Sequence, residues 1–272
     1  MACMTPRHPL EFRPLPGLYE PSAIVQLPDG RFLVVEDEKE HSFSLLTLGA
    51  DGQATSQPVG PGWFQSSDPI WKLDDLEGLT LDSEGWFYAV TSHSRTDDGD
   101  EKKPRDKLVR FRIDGERVTQ PVVVDGLKPA LLAAHPLLAG LALVASVENP
   151  AAIFDNGAAP RIADTLLTLG LGGQGIRSLS YVAALAGYLV VSGPATREDA
   201  DFGLWFWSGL PGATARRVTV PGLDSLAQAE GVCPAVLEGV VGLVIVSDDG
   251  NREENRCAHF VWLKLDQLQM AP

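Results

Sequence analysis

Two stretches of the chain share a pattern that decides the fold: EPSAIVQLPDGRFLVVEDE at 20–38 and EGLTLDSEGWFYAVTSHSR at 77–95. Each begins with a glutamate, continues as an apolar run, turns at a polar segment with a glycine, and runs apolar again before a polar end. Two apolar runs joined by a short glycine-containing turn are typical of a β-hairpin. The pattern therefore predicts a chain built from repeated hairpin units.

Three further copies of this unit follow at regular spacing. They begin at Pro129, Arg177 and Glu230, so the five starts at 20, 77, 129, 177 and 230 are separated by 57, 52, 48 and 53 residues. Four of the copies are followed by a third strand-like run rich in aromatic and branched residues, at 43–48, 107–113, 202–207 and 258–265. A period of about 50 residues is that of one four-stranded propeller blade.

The repeat predicts an all-β, closed β-propeller that forms a single domain over residues 1–272. Five blades are expected, with six as the alternative if the irregular region 119–175 contains a degenerate blade. Closure of a propeller requires the two ends of the chain to meet in one sheet. We therefore expect the N-terminal run 10–18 to pair as a strand with the last blade, near 258–265.

Composition and charge limit the kinds of partner that the protein can bind and indicate the cellular compartment in which it works. The 272 residues carry 36 acidic and 22 basic side chains, a net charge of −14, and 44% are hydrophobic. This apolar fraction excludes a disordered chain, and the acidic balance argues against nucleic acid or an anionic membrane as partner. The start has no secretory apolar run, and the three cysteines have no CxxC or zinc-like spacing. We expect a cytoplasmic monomer with reduced thiols.

The first residues of the copies are candidates for a functional site. The first strand of each blade lines the central channel, so Glu20, Glu77, Arg177 and Glu230 are expected to form a ring at the end of the channel where these strands begin, here called the channel mouth. Three carboxylates at one mouth repel each other unless a cation or an arginine compensates them. Calcium suits such a set of oxygen ligands, which makes Glu20, Glu77 and Glu230 candidate metal ligands. The alternative is a structural ring in which Arg177 supplies the counter-charge.

Two clusters at the ends of second strands extend the candidate site. His93 and Arg95 follow one such strand, and His93 is the one histidine in a polar, loop-proximal context suited to a general base. Asp248 lies in the oxygen-rich turn SDDGN at 247–251, which is either a ligand loop or a simple tight turn. The sequence contains no GxSxG elbow, P-loop or HExxH motif.

Six short motifs carry a resemblance to a known family. They are EPSA at 20–23, DLEGL at 75–79, TSHSR at 91–95, GIRSL at 175–179, VSGP at 191–194 and SDDG at 247–250. In this order they resemble a bacterial β-propeller family catalogued as domain of unknown function 3616, itself distantly similar to calcium-binding lactonase and esterase-like phytase propellers. The departure lies at 127–163, where the family usually has another Glu–Gly strand start. The resemblance implies a fold but no established activity.

Two functions follow from these observations. The first is a non-catalytic module that binds a protein or small molecule at the channel mouth, since no complete nucleophile, base and orienting set is found. The second is a calcium-dependent hydrolase of phosphate or lactone esters. In it, calcium would polarise the ester oxygen, Arg95 and Arg177 would stabilise negative charge, and His93 or a glutamate would deprotonate water. The net charge of −14 disfavours an anionic substrate and therefore favours the first function.

Overall fold

A computed structural model describes residues 10–38, 41–49, 51–61, 67–94, 100, 102–135, 142–194, 201–226 and 228–271. Arg95, a candidate site residue, and Cys3, one of the three cysteines, lie outside these residues. Within them, β-strands dominate and two short α-helices occur, so the all-β expectation is confirmed.

The first half of the chain forms one short strand and two four-stranded sheets. The short strand is β1 (Arg13–Pro14), and the first blade contains β2 (Pro21–Gln26), β3 (Phe32–Glu36), β4 (Phe43–Leu48) and β5 (Ala54–Pro58). The second blade contains β6 (Leu76–Leu81), β7 (Phe87–Thr91), β8 (Leu108–Asp114) and β9 (Arg117–Val124). In both blades each strand pairs antiparallel with the next along the chain. Strand β3 is buried along its whole length and is apolar up to its last residue, Glu36, because it lies between neighbouring sheets.

The middle of the chain is irregular. It contains α1 (Leu127–Ala134), β10 (Ala142–Val144), α2 (Pro150–Asn156) and β11 (Leu167–Leu169), and β10 pairs with β11 alone. This two-stranded sheet packs on the following blade through Ala142 and Leu169. Helix α2 packs on the second blade, where Phe154 lies edge-on to Tyr88 with ring centroids 5.6 Å apart. Together the two elements bridge the second blade to the rest of the ring.

Two further blades complete the described chain. The third blade contains β12 (Gly175–Val182), β13 (Gly187–Gly193), β14 (Gly203–Trp207) and β15 (Arg216–Thr219). The fourth blade contains β16 (Ala229–Leu237), β17 (Val240–Ser247) and β18 (His259–Lys264). A last strand, β19 (Gln269–Met270), returns to the third blade and pairs with β15, which the sequence analysis did not predict.

The structure therefore gives a β-propeller with four blades, and the expectation of five or six blades is wrong for the described residues. The error lies at the copy that begins at Pro129. The segment LKPALLAA is rich in alanine and leucine, which are strong helix formers, and it contains no β-branched residue. It folds as α1, and only two short strands remain between the second and third blades within the described ranges.

The predicted closure by the N-terminal strand is confirmed. Strand β1 is the outer strand of the fourth blade, with Arg13 paired to Phe260 and Pro14 to His259. Leu15 continues the contact, since its backbone N–H donates to Ala258 O at 2.8 Å. The last sheet therefore takes three strands from the C-terminal part of the chain and one from the N-terminal part.

The inner strands of neighbouring blades are joined by side chains. Ser178 Oγ accepts from Val232 N–H at 3.1 Å, and Ser180 Oγ donates to Val232 O at 2.7 Å, which links β12 to β16. Gln26 accepts from Val236 N–H at 2.7 Å and donates to Val236 O at 3.0 Å, which links β2 to β16. These contacts, with β2 beside β6, fix the inner strands around one channel.

Two observations bear on the thiols and on the membrane. Cys233 and Cys257 are free, so the expectation that they form no disulfide is confirmed. None of the helices in the described ranges has the length and apolarity needed to cross a membrane.

Candidate binding site at the channel mouth

The inner strands of all four blades carry a β-bulge at the same place, at their second or third residue. Pairing jumps from Pro21–Glu36 to Ala23–Val35, from Leu76–Thr91 to Gly78–Val90, from Ile176–Ser192 to Ser178–Val191, and from Ala229–Ser247 to Gly231–Val246. The residues skipped by the pairing are Ser22, Glu77, Arg177 and Glu230. A bulge re-aims a side chain away from the regular pleat. The four bulge residues are therefore structurally equivalent positions at one end of the channel.

This equivalence corrects the sequence alignment of the first copy. Ser22, which is buried, holds the position that Glu77 and Glu230 hold in their blades, whereas Glu20 lies just before β2.

A small residue follows each bulge, and Gly231 shows the reason: a Cβ there would lie 2.7 Å from Val246 Cγ2. That distance is shorter than real side chains tolerate. The small residue lets the inner strand bend at the mouth.

Glu77 and Glu230 both have raised pKa values, and the charge of Glu230 contributes to the shift of Glu77. Burial, with the negative charges of Asp75, Glu230 and Asp37, raises the pKa of Glu77 to about 8. Part of the Glu77 surface is nevertheless exposed to solvent. Burial raises the pKa of Glu230 to about 7, while Arg177 lowers it and Asp248 raises it.

Arg177 supplies the positive charge nearest to Glu230. Its Nη1 lies 3.5 Å from Glu230 Oε1, and its Nη2 donates to Pro194 O at 2.8 Å. The same charge acts on Asp248, whose pKa is raised to about 6 by burial and by the charges of Glu20 and Asp249. The sequence analysis placed Glu77, Arg177, Glu230 and Asp248 together, and the structure does bring them together.

Asp75 is held by two hydrogen bonds and an ion pair on the second blade. Its Oδ2 accepts from Ser92 Oγ at 2.5 Å and from Ser94 Oγ at 2.9 Å, and it lies 2.9 Å from Arg105 Nη1, which itself donates to Ser94 Oγ. Arg105 Nε also donates to Asp74 Oδ2 at 2.9 Å. Burial acts against ionisation, but these hydrogen bonds and Arg105 lower the pKa of Asp75 below its ordinary value. Asp75 is therefore a fixed negative charge at the mouth.

Asp37, at the end of β3, is a member of the site that the sequence analysis missed. Its backbone N–H donates to Glu20 O at 3.1 Å. Burial, together with the nearby carboxyl of Asp75 and the charge of Glu20, raises the pKa of Asp37 to about 7, whereas Arg105 lowers it. The sequence contained a signal, since the second strand of several copies ends in acidic residues or serine: EDE at 36–38, TSHS at 91–94 and SDD at 247–249.

Glu20 lies at the edge of the site, next to a structural ion pair. Burial and the charge of Glu38 raise the pKa of Glu20, and Arg252 lowers it. Arg252 pairs with Glu38 and lies over the Tyr19 ring at 4.2 Å. The charge of Glu20 raises the pKa values of Asp37 and Asp248, so Glu20 interacts electrostatically with the other acids of the mouth.

His93 contacts Arg105 and Asp106 rather than the acids of the mouth, contrary to the expectation that it serves the mouth as a general base. Its Nδ1 lies 3.2 Å from Arg105 O and 3.3 Å from Asp106 Oδ1. Burial, with the charge of Lys128, lowers the pKa of His93 against the raising effects of Arg105 O and Asp106. Its side chain is 15% exposed, and its contacts are those of a structural residue.

A serine, an aspartate and a histidine meet on the fourth blade without forming a catalytic triad. Ser247 Oγ donates to Asp249 Oδ1 at 2.6 Å, and His259 Nδ1 lies 2.7 Å from Asp249 Oδ2. The aspartate therefore stands between the other two, whereas a triad needs the histidine between the serine and the acid. Ser247 is also buried. This trio stabilises the turn at 247–251.

The predicted calcium site does not fit the donors at the mouth. Across the residues that the structure describes, no group of three His, Cys, Asp or Glu side chains converges so as to hold a metal ion. We therefore derive no chemical step through calcium.

Cavities occur elsewhere on the molecule. One of about 340 Å³ lies between the first and fourth blades at the opposite end of the strands, lined by Leu48, Leu237, Trp262 and others. It contains none of the bulge residues. We place the candidate site at the mouth because the acidic and basic groups converge there.

Among known proteins, only solved structures show similarity to this chain. A scan against protein-family models found no match, and a search of curated proteins found none. Similar solved structures include a putative oxidoreductase (glucose dehydrogenase) from Thermus thermophilus, with 16% identity, a TM-score of 0.44 and coverage of 93% of this chain and 99% of that chain. Another is a glucose dehydrogenase, with 12% identity, a TM-score of 0.42 and coverage of 94% and 98%. The major Malassezia sympodialis allergen Mala s 1 has 14% identity, a TM-score of 0.40 and coverage of 92% and 80%.

These scores carry no argument about activity. The assignment of this chain to the β-propellers rests on its four sheets and their closure. The resemblance to domain of unknown function 3616 stays a prediction.

Proposed function

We propose that the protein is a non-catalytic binding module whose channel mouth takes the cationic group of a small ligand, such as an ammonium. The observation that carries this proposal is the set of matching bulges, which aims Glu77 and Glu230 from two different blades at one mouth. Such repetition of a costly irregularity is typical of a site. Among the four bulge residues, Arg177 alone carries a positive charge.

The ionisation of the mouth favours a cation over an anion. The pKa values of Glu77 and Glu230 are raised to about 8 and about 7, because their charged forms are partly buried and lie close to other acids. A bound cation would favour the ionised form of both groups and relieve their repulsion. An anion would meet the fixed charge of Asp75, which accepts two hydrogen bonds and is paired with Arg105. Ligand binding is therefore coupled to proton release from the mouth.

The non-catalytic part of the proposal follows from the arrangement of candidate groups. His93 contacts Arg105 and Asp106 rather than the acids of the mouth. The trio of Ser247, Asp249 and His259 has the acid in the central position. The calcium-dependent hydrolase alternative lacks a converging donor set in the described part of the chain.

The experiment is a thermal-shift series with diamines and triamines against matched neutral diols and triols. At a hundredfold excess over Kd, a ligand specific for the folded chain stabilises it by about 2.7 kcal/mol, which is a clear rise in Tm. We expect the rise with amines alone and more of it at pH 8.5 than at pH 6. Isothermal titration of the best amine in two buffers of different ionisation enthalpy then counts the protons released.

Two variants decide whether the mouth is the site. Glu77→Gln should remove most of the amine effect, whereas Glu84→Gln, which changes an exposed acid in the turn at the other end of the same blade, should leave it intact. No rise in Tm with any amine would contradict the proposal. A rise with calcium chloride that Glu77→Gln abolishes would restore the metal alternative instead.

A further inference from the structure

We propose that the cavity between the first and fourth blades, at the opposite end of the strands from the channel mouth, is a second binding site. Its ligand is a small molecule with an apolar, aromatic body and one carboxylate. The cavity has a volume of about 340 Å³, which falls within the range of roughly 300–1,000 Å³ found for small-molecule sites. None of the residues that line it belongs to the mouth, so this inference stands apart from the ligand proposed there.

The floor of the cavity is the edge of the apolar core that the first and fourth blades share. Leu48 of β4, Leu237 of β16 and Trp262 of β18 pack against that core but are only partly buried, and all three line the cavity. Phe260, which is buried in the same core, also lines it. An apolar body bound here would therefore cover hydrophobic surface that the two sheets leave exposed, which favours binding.

Gly242 fixes the position of the Trp262 ring on this floor. Gly242 lies on β17 beside β18, where it pairs with Lys264. A Cβ at Gly242 would lie 2.5 Å from Trp262 Cη2, closer than real side chains approach, so the ring packs directly on the glycine backbone. The cavity thus has an ordered aromatic wall. Such a wall favours an aromatic ligand, because two rings attract each other beyond the area that they bury.

Arg13 supplies a positive charge at the rim from the closing strand β1. Its guanidinium lies against Gly52, in the turn between β4 and β5, where a Cβ would overlap it. The φ of Gly52 is 76°, in the left-handed region that favours glycine. Arg13 Nη1 donates to Asp51 O at 3.2 Å, and within the part of the chain that the structure describes Arg13 makes no other side-chain hydrogen bond. A guanidinium has five donors in a planar fork that matches a carboxylate.

The charges around the rim favour a ligand with a single negative charge. Arg13 and Lys264 are matched by Glu11 and Glu238, so the lining carries no net formal charge, although the whole chain carries −14. All four side chains are exposed. A monocarboxylate can pair with Arg13, whereas a second negative charge would meet the two glutamates. Charges of the chain that lie further away than about 8 Å are largely screened at physiological ionic strength.

A ligand in this cavity would contact three segments that are far apart in sequence. They are the closing strand β1, the turn between β4 and β5, and the paired strands β17 and β18. The ligand would therefore connect β1 to the first blade as well as to its own sheet. Binding should accordingly reduce local opening of the closing strand, which hydrogen exchange measures.

The test uses 2-naphthoate as the probe and 2-naphthamide as its neutral counterpart. Each is titrated calorimetrically into the intact chain at pH 7.5 and physiological salt. We expect one 2-naphthoate per chain, with a Kd below about 1 mM. The amide should bind at least roughly tenfold more weakly, because hydrogen bonds to a charged acceptor are the stronger kind.

Two variants, each with a matched control, test the cavity. Val240→Glu adds a negative charge to the lining and should weaken 2-naphthoate binding about tenfold or more. Val241→Glu is its control, because Val241 is the next residue and is 48% exposed against 40% for Val240, but does not line the cavity. Arg13→Gln should reduce the affinity for 2-naphthoate to that for the amide. Arg216→Gln, which removes an exposed arginine on the third blade, should leave it unchanged.

Hydrogen exchange of the unaltered chain locates the bound probe without any substitution. Saturating 2-naphthoate should slow exchange in peptides covering 10–18 and 236–243 and leave 175–182 unchanged. The site is disproved if 2-naphthoate does not bind, if the two valine variants bind it equally, or if protection appears only outside 10–18 and 236–243. Equal affinities for the acid and the amide would disprove the carboxylate ligand. Glu77→Gln should not alter 2-naphthoate binding, so this result is distinguishable from failure of the amine site.

Discussion

Arg177 Nη1 lies 3.5 Å from Glu230 Oε1, and this contact joins the third and fourth blades at the channel mouth. Both residues occupy the bulge of their inner strand. The side chain of Arg177 is 37% exposed and that of Glu230 is 14% exposed. The pair is therefore a partly solvated contact, which limits how much it stabilises the fold.

The first prediction concerns the removal of this arginine. Arg177→Ala should lower the free energy of unfolding by about 1 kcal/mol or less at pH 8, since partly exposed pairs contribute little. The loss should vanish near pH 5, because Glu230, with a pKa of about 7, is then protonated in the folded state. Urea unfolding at both pH values checks this. Arg177→Lys should keep most of the stability, and an equal loss at the two pH values would contradict the ion-pair interpretation.

The second prediction is that stability falls as pH rises from about 5 to 8.5. Burial raises the pKa of Glu77 to about 8, of Glu230 to about 7 and of Asp248 to about 6, whereas in the unfolded chain such groups titrate near pH 4. Between these limits the folded chain binds more protons, so raising the pH favours unfolding. Asp74 and Asp75, whose pKa values are lowered, titrate below this range.

The midpoint of urea unfolding, followed at intervals of half a pH unit, measures this dependence. Glu77→Gln should flatten the profile above pH 7, where Glu77 is the last of these groups to ionise. Glu84→Gln, on the opposite face, should leave the profile unchanged. A midpoint that rises with pH through this range would show that the mouth does not carry these shifted groups.

The third prediction tests the closure of the ring. Leu15 is completely buried in a core with Leu18, Ile24 and Phe260, and its N–H donates to Ala258 O. Leu15→Ala should cost about 2–5 kcal/mol of unfolding free energy, as for other buried leucines. Leu132→Ala is the matched control, because Leu132 is 53% exposed and its truncation should change stability by less than about 0.5 kcal/mol. Similar losses in the two variants would mean that the closing strand is not integral to the fold.

The fourth prediction distinguishes two cysteines by their reactivity. Burial raises the pKa of the Cys233 thiol to about 12, and the residue is 1% exposed, whereas Cys257 is partly exposed. A thiol reagent at pH 8 should therefore label Cys257 within minutes and Cys233 only on unfolding. Peptide mapping with and without urea measures this, with Cys257→Ser as the control. Rapid labelling of Cys233 in the folded chain would contradict its burial.

The regular parts of the repeat could be read from the sequence, and the irregular parts could not. Apolar hairpins at a period of about 50 residues predict blades because four-stranded sheets demand that spacing. The copy at Pro129 failed because its apolar residues are helix formers, and an apolar run alone does not separate a strand from a helix. The partnership of β19 with β15 was missed, since two residues carry too little pattern.

The candidate site was predicted in the same partial way. Glu77, Arg177 and Glu230 were placed correctly because each opens a copy of the repeat at the same register. Glu20 was misaligned by two residues, since the bulge at Ser22 leaves no mark in the hydrophobic pattern. Asp37 and Arg105 were missed because they belong to strand ends and loops, whose contacts across two blades depend on packing rather than on local pattern.

The pairing of Arg13 with Phe260 has a consequence for synthesis in the cell. Strand β1 leaves the ribosome well before its partner β18, which lies more than 240 residues further along the chain (260 − 13 = 247 for the paired residues). At roughly 5–20 residues per second, β1 waits on the order of ten seconds or more without its sheet. Contacts so distant in sequence also form slowly once both partners exist. The fourth blade is therefore completed only once β18 has been made and β1 has docked on it, and until β1 docks, β18 is an edge strand on which another chain could add a strand.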